Sequence, residues 1–111
     1  MSWKTINQIS QIQQIKEESK LQPVLLYKHS TQCSLSQMAW DRLKRNWKDS
    51  DSQVVTPYYL DLLSYREVSD AIEQEFGIQH ESPQVILVKD GIAFYDTSHM
   101  AINYQEIMGQ F

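Results

Sequence analysis

Val24-Leu25-Leu26-Tyr27-Lys28-His29-Ser30-Thr31-Gln32-Cys33-Ser34-Leu35-Ser36 is the stretch on which the fold turns. Its apolar first half reads as a strand, and a helical pattern begins directly after Cys33. Leu35, Met38, Ala39, Leu43 and Trp47 form a broad apolar face over roughly Ser34 to Lys48. The only cysteine of the chain therefore sits on a strand-to-helix turn, at a helix N-terminus. Backbone N–H groups there point outward and carry partial positive charge. They favour a thiolate over a thiol, and the thiolate is the reactive form. With Ser36 the local spacing is Cys-x-x-Ser, a redox turn that lacks its second sulfur.

Toward the N-terminus, Trp3 to Ile6 reads as a short lead-in strand. Asn7 is placed to cap a helix that runs to about Ser19, with Ile9, Ile12 and Ile15 on overlapping faces, and Pro23 ends it. Toward the C-terminus, Asp49-Ser50-Asp51-Ser52 is a turn and Val54 to Leu62 a strand, with Pro57 at an edge or irregular position. Ser64 and Glu67 have capping-box spacing for a helix that turns Val68, Ala71, Ile72 and Phe76 inward and ends at Gly77. After Ser82-Pro83 comes the strand Gln84 to Lys89. Asp90-Gly91 signals a hairpin back through Ile92 to Asp96. Ser98 is placed to cap a last helix with Met100, Tyr104, Ile107 and Met108 inward.

A helix joins the first two main strands, so they are expected to be parallel with a right-handed crossover. The last two form an antiparallel hairpin. The expectation is an α/β domain over residues 1–111, with a mixed four-stranded sheet flanked by helices on both faces. This order, with a cysteine after the first main strand and a proline before the hairpin, is similar to the thioredoxin fold.

Composition narrows the function classes. The chain has 111 residues, 41% of them hydrophobic, which suits one folded domain. Its net charge of −4 and the lack of a long basic block argue against nucleic acid as a partner. No apolar run approaches the roughly 20 residues needed to span a bilayer, and Met1 to Thr5 lacks a secretory apolar segment. No membrane association and a cytoplasmic location are the expectations. One cysteine cannot close an internal disulfide, so Cys33 is a packing residue or a reactive thiol. His29, His80 and His99 are dispersed, no metal-ligand spacing is present, and no glycine-rich phosphate loop occurs.

Three segments carry a narrower likeness: Lys28-His29-Ser30-Thr31-Gln32-Cys33, Phe76-Gly77-Ile78-Gln79-His80-Glu81-Ser82-Pro83-Gln84, and Ser98-His99. Together they resemble the YtxJ-type monothiol bacilliredoxins, thioredoxin-like proteins of the bacillithiol system, over nearly the whole chain. The resemblance implies removal of bacillithiol from protein mixed disulfides. Cys33 would be the nucleophile and Ser36 would stand in the place of a resolving cysteine. Bacillithiol would be the co-substrate, with no bound cofactor and no metal. The partners would be bacillithiolated client proteins and a low-molecular-weight thiol. Thr31, Gln32, Ser82 and Pro83 are the substrate-binding candidates. Pro83 matches the cis-proline that lies against the redox turn, where the preceding backbone at Ser82 can pair with an extended partner. The family's turn is commonly Thr-Cys-Pro-Ile-Ser, from which Gln32, Ser34 and Leu35 depart. Ser34 keeps an N–H that proline would lack.

Blander readings stand beside these. A lone cytosolic cysteine is often an inert packing residue, Ser36 an ordinary helix serine, and Pro83 a trans proline that starts a strand. Two rival functions follow. One is a non-catalytic thioredoxin-fold binding or redox-sensor domain. The other is an iron–sulfur carrier resembling monothiol glutaredoxins, whose motif glycine, motif aromatic and later glycine pair are missing here. Repeated turnover would make the protein a thiol–disulfide oxidoreductase.

Overall fold

The computed structural model describes residues 3–111. The chain runs β1 (Lys4–Thr5), α1 (Ser10–Glu18), β2 (Val24–His29), α2 (Ser34–Asn46), a 3-10 turn (Asp49–Gln53) and β3 (Thr56–Asp61). It continues through α3 (Arg66–Phe76), β4 (Gln84–Lys89), β5 (Ile92–Ser98), a second 3-10 turn (His99–Ala101) and α4 (Tyr104–Met108). The sheet has five strands in the order β1-β3-β2-β4-β5, not the four expected. The addition is β1, whose two residues pair in parallel with Tyr58 and Tyr59. It falls within the lead-in strand expected at Trp3 to Ile6, and its pairing with β3 is what makes it part of the sheet.

Strands β2 and β3 are parallel, β2 and β4 antiparallel, and β4 and β5 form the hairpin. Asp90 and Gly91 both take positive φ at its turn, the backbone that Asp-Gly favours. Pro57 lies inside β3, yet costs no ladder bond. Thr56 N–H donates toward β2, at Pro23 C=O, so Pro57 faces the β1 side, where pairing begins only at Tyr58.

Helices cover both faces. Ile12, Ile15, Val68 and Ile72 pack on Val24, Leu26, Leu60, Ile86 and Val88. Ala39, Trp40, Leu43, Ile102 and Ile107 pack on Leu25, Tyr27, Val85 and Leu87. Burying each such aliphatic side chain stabilises by roughly 1.5–3 kcal/mol. All three tryptophans join the second layer, with Trp3 edge-on to Trp40 and tilted against Trp47.

Several helix ends differ from the sequence reading. Asn7 does not cap α1. The Gln11 side chain reaches back instead and accepts from the N–H groups of Asn7 and Gln8. Ile9 falls outside α1 and is exposed, which resolves the strict three-residue isoleucine spacing. The Ser64 box does not form: Ser64 Oγ donates to Asp61 and α3 starts one residue later than a Ser64 cap requires. Gly77 ends α3 with left-handed φ, as its position predicts. Ser98 leads into a 3-10 turn that leaves Met100 exposed, and Asn103 is the residue that caps α4.

Candidate functional site

Cys33 is the N-cap residue of α2, in extended conformation and partly exposed. Its N–H closes a turn onto Ser30 C=O at 3.2 Å, and its C=O accepts from Gln37 N–H at 3.0 Å. Both sides of its backbone are thereby fixed. Thr31 and Gln32 are the exposed residues of that turn. The N–H groups of Ser34, Leu35 and Ser36 receive no backbone acceptor among the described residues. They are the free donors of a helix start, on the turn that carries the thiol.

Ser36 is fully buried. Its Oγ accepts from Ser30 N–H at 3.1 Å and lies 2.7 Å from His29 Nδ1. One helical turn beyond Cys33, it thus ties the start of α2 to the end of β2. Burial pushes the His29 imidazole below its ordinary value, with the Asp61 carboxylate pulling the other way. A neutral ring with bare Nδ1 accepts the Ser36 proton, and the hydroxyl is then satisfied in both roles. Ser36 is committed to the turn's framework.

Lys28 and His29 are consecutive in β2, so they point to opposite faces. Both are buried. His29 faces α2, against Trp40 and Tyr59. Lys28 faces α3, where its Nζ donates to Ser69 C=O at 3.2 Å and contacts His80 Nδ1 at 3.3 Å. Burial lowers the Lys28 ammonium to about 8, against the opposing pull of Glu73 and Asp70. Neither residue is among the site residues expected from the sequence. The sequence shows two basic residues closing an apolar strand that ends on the redox turn, but not what each of them meets.

The Pro83 segment lies at the same end of the sheet. Gln84 pairs with Lys28, so the Ser82–Pro83 bond follows directly beyond the last paired residue of β4. That bond is cis. The loop before it is braced from within by buried Gln84, which donates to Gln79 C=O and accepts from Glu81 N–H. His80 N–H donates to Glu73, His99 N–H to Pro83 C=O, and His99 Nε2 pairs with Glu81 at 3.2 Å. His80 and His99 thus have defined places on either side of Pro83. Ser82 keeps open polar groups. Its Oγ is buried without a partner, and its backbone forms no backbone hydrogen bond among the described residues.

The arrangement is a thiol at a fixed helix start, beside a loop with unpaired hydrogen-bonding groups. Among the described residues no group of three or more His, Cys, Asp and Glu side chains is placed to hold a metal ion. None of the described helices is long and apolar enough to cross a membrane.

The family model for monothiol bacilliredoxin BrxC matches residues 4–107 of the chain. A solved structure described as having a thioredoxin fold superposes with a TM-score of 0.83 at 29% identity, over 97% of this chain and 92% of that one. The thioredoxin of Malassezia sympodialis aligns with a TM-score of 0.75 at 18% identity, covering 98% of this chain and 87% of its own. Fasciola hepatica thioredoxin gives 0.74 at 11% identity, over 96% and 94%. These last two are likenesses of fold.

Proposed function

The chain belongs to the monothiol bacilliredoxin BrxC family and has a thioredoxin-like fold suited to a thiol–disulfide redox role, and from that premise we propose that it removes bacillithiol from protein mixed disulfides, with Cys33 as nucleophile. The Cys33 thiolate attacks the bacillithiol sulfur of the mixed disulfide. A new disulfide forms between Cys33 and bacillithiol, the old one breaks, and the client sulfur leaves as a thiolate that takes a proton from water. A second bacillithiol thiolate then attacks the bacillithiol sulfur held on Cys33. It yields bacillithiol disulfide and restores the Cys33 thiolate. Each step exchanges one disulfide for another, and overall one mixed disulfide and one bacillithiol thiol become the client thiol and bacillithiol disulfide, so the incoming bacillithiol is the reductant.

The observation that carries this reading is the placement of Cys33 at the open N-terminus of α2, at the same sheet end as Ser82–Pro83. The unpaired backbone of Ser82 suits an extended partner strand, with Thr31 and Gln32 exposed on the other side of the thiol. Ser36 cannot close a disulfide, so an external thiol must complete the cycle. The compartment that suits this chemistry is the cytoplasm, where low-molecular-weight thiols are kept reduced.

The test is transfer from a bacillithiol-modified client, read by intact mass of both proteins. The adduct is expected to leave the client, appear on wild-type protein and fail to appear on Cys33→Ser. Repeated turnover with bacillithiol and its reductase would establish catalysis. A client that keeps its adduct would refute exchange and leave binding or cluster carriage as the surviving functions.

A further inference from the structure

His80 has one ring nitrogen held inside the protein and one left over. The held atom is Nδ1, 3.3 Å from Lys28 Nζ and 3.4 Å from Ser69 Oγ. A lysine ammonium has donors only. Its contact with Nδ1 therefore requires that atom to be bare, and the proton of the neutral ring is then on Nε2. Burial and the Lys28 charge both hold His80 below its ordinary value, so the ring stays neutral. The charges opposing this are Glu73 and Asp70 of α3 and Glu81 of the loop itself. The backbone is fixed as well, through His80 N–H to Glu73 at 2.9 Å. Nε2 has no hydrogen-bond partner among the described residues and is not one of the buried unpaired atoms, so it opens to solvent. It stands in the loop that leads into Ser82–Pro83, at the sheet end that carries Cys33.

We propose that His80 is a substrate-contacting hydrogen-bond donor of the exchange site, locked as its Nε2–H tautomer by Lys28. The group it receives is an acceptor oxygen close to the disulfide of the bound partner. A peptide carbonyl of the client and a carboxylate of the small thiol share that chemistry. Lys28 is a positioning residue: it sets which nitrogen of His80 carries the proton and touches no substrate. The inference rests on the exchange reading of Cys33 and adds the residue that orients the partner.

Nitrogen-15 NMR of the reduced full-length protein reads the tautomer directly. Wild type is expected to show a bare Nδ1 and a protonated Nε2 at neutral pH. Lys28→Met is expected to give averaged ring nitrogens and a higher titration midpoint for His80. In the kinetics, His80→Phe is expected to raise KM by up to about tenfold, more than it lowers kcat, the effect of one hydrogen bond. His80→Gln carries an amide N–H at the level of Nε2 and is expected to recover most of that loss. A KM effect confined to client transfer identifies the peptide carbonyl, and one confined to release by the small thiol identifies its carboxylate. An Nδ1–H tautomer in wild type, or unchanged KM in both steps for His80→Phe, overturns the proposal. Absence of transfer by wild type overturns the exchange reading and the contact with it, whereas a wrong tautomer in a protein that does exchange overturns this inference alone.

Discussion

Replacing Lys28 by methionine should flatten the alkaline rise of stability in a way that can be calculated. Lys28 titrates at about 8 in the fold against an ordinary 10.5, because it is buried. Below pH 8 the lysine is charged in both folded and unfolded chains, and folding must desolvate the charge. The separation of 2.5 units corresponds to a cost of about 3 kcal/mol at about 1.4 kcal/mol per unit. As pH rises past 8 the folded protein gives up this proton first. The unfolded chain keeps it until 10.5, so it binds more protons across that window and stability rises with pH. Between about pH 7 and about pH 10 the lysine contributes a gain of about 2.5 kcal/mol. Lys28→Met keeps the stem in the core and lacks the titration. Tyrosine ionisation is shared by both proteins and cancels in the difference. The assay is urea unfolding of both reduced proteins at about pH 7, about 8.5 and about 10. Wild type minus variant should climb by about 2.5 kcal/mol across the series. Two parallel curves, whatever their offset, would refute a buried lysine with a depressed titration.

Other perturbations test the frame of the site. Ser36→Ala leaves Ser30 N–H and His29 Nδ1 without their shared partner. It should lower stability by about 2 kcal/mol at an unchanged urea slope, and a loss below about 0.5 kcal/mol would show that the clamp is not made. Gly77→Ala meets no atom within 4 Å, so its cost is the left-handed backbone alone. About 1 kcal/mol is expected by thermal melting, with Gly77→Asn milder, and equal stability of all three proteins would contradict the φ assigned there. Tyr104→Phe removes the 2.7 Å bond to Asp51 that ties α4 to the first 3-10 turn. Destabilisation of about 1 kcal/mol should come with faster amide exchange at Ile107, and unchanged exchange there would count against the tie.

Legibility in the sequence followed the range of the interaction involved. Asp90-Gly91, Gly77 and the strand-to-helix step at Cys33 are local, and the structure follows them. The capping errors at Asn7, Ser64 and Ser98 arise where a second side chain competed. Gln11 reached back past Asn7, Asp61 took the Ser64 hydroxyl, and Asn103 capped the helix assigned to Ser98. The fifth strand depends on Tyr58 and Tyr59, distant in the chain from Lys4 and Thr5. In the site, Cys33 could be read because its place on the turn is set by the next few residues. The anchoring roles of Lys28, His29 and His80 could not, because their partners lie on α2, α3 and the proline loop. Strand alternation tells that Lys28 and His29 diverge, but not that each meets a buried polar partner.

The close packing of the tryptophans has an optical consequence. Trp3 lies 4.8 Å from Trp40 and 5.0 Å from Trp47, and Trp40 in turn lies 4.8 Å from Tyr59 and 6.2 Å from His29. Chromophores this close exchange excitation, so the three indoles are expected to give coupled bands in near-ultraviolet circular dichroism. An imidazolium ring quenches indole emission. Charging His29 should therefore dim the fluorescence while the dichroism persists, whereas unfolding abolishes the dichroism. The protein carries its own dye beside His29, with two channels that separate local protonation from global melting.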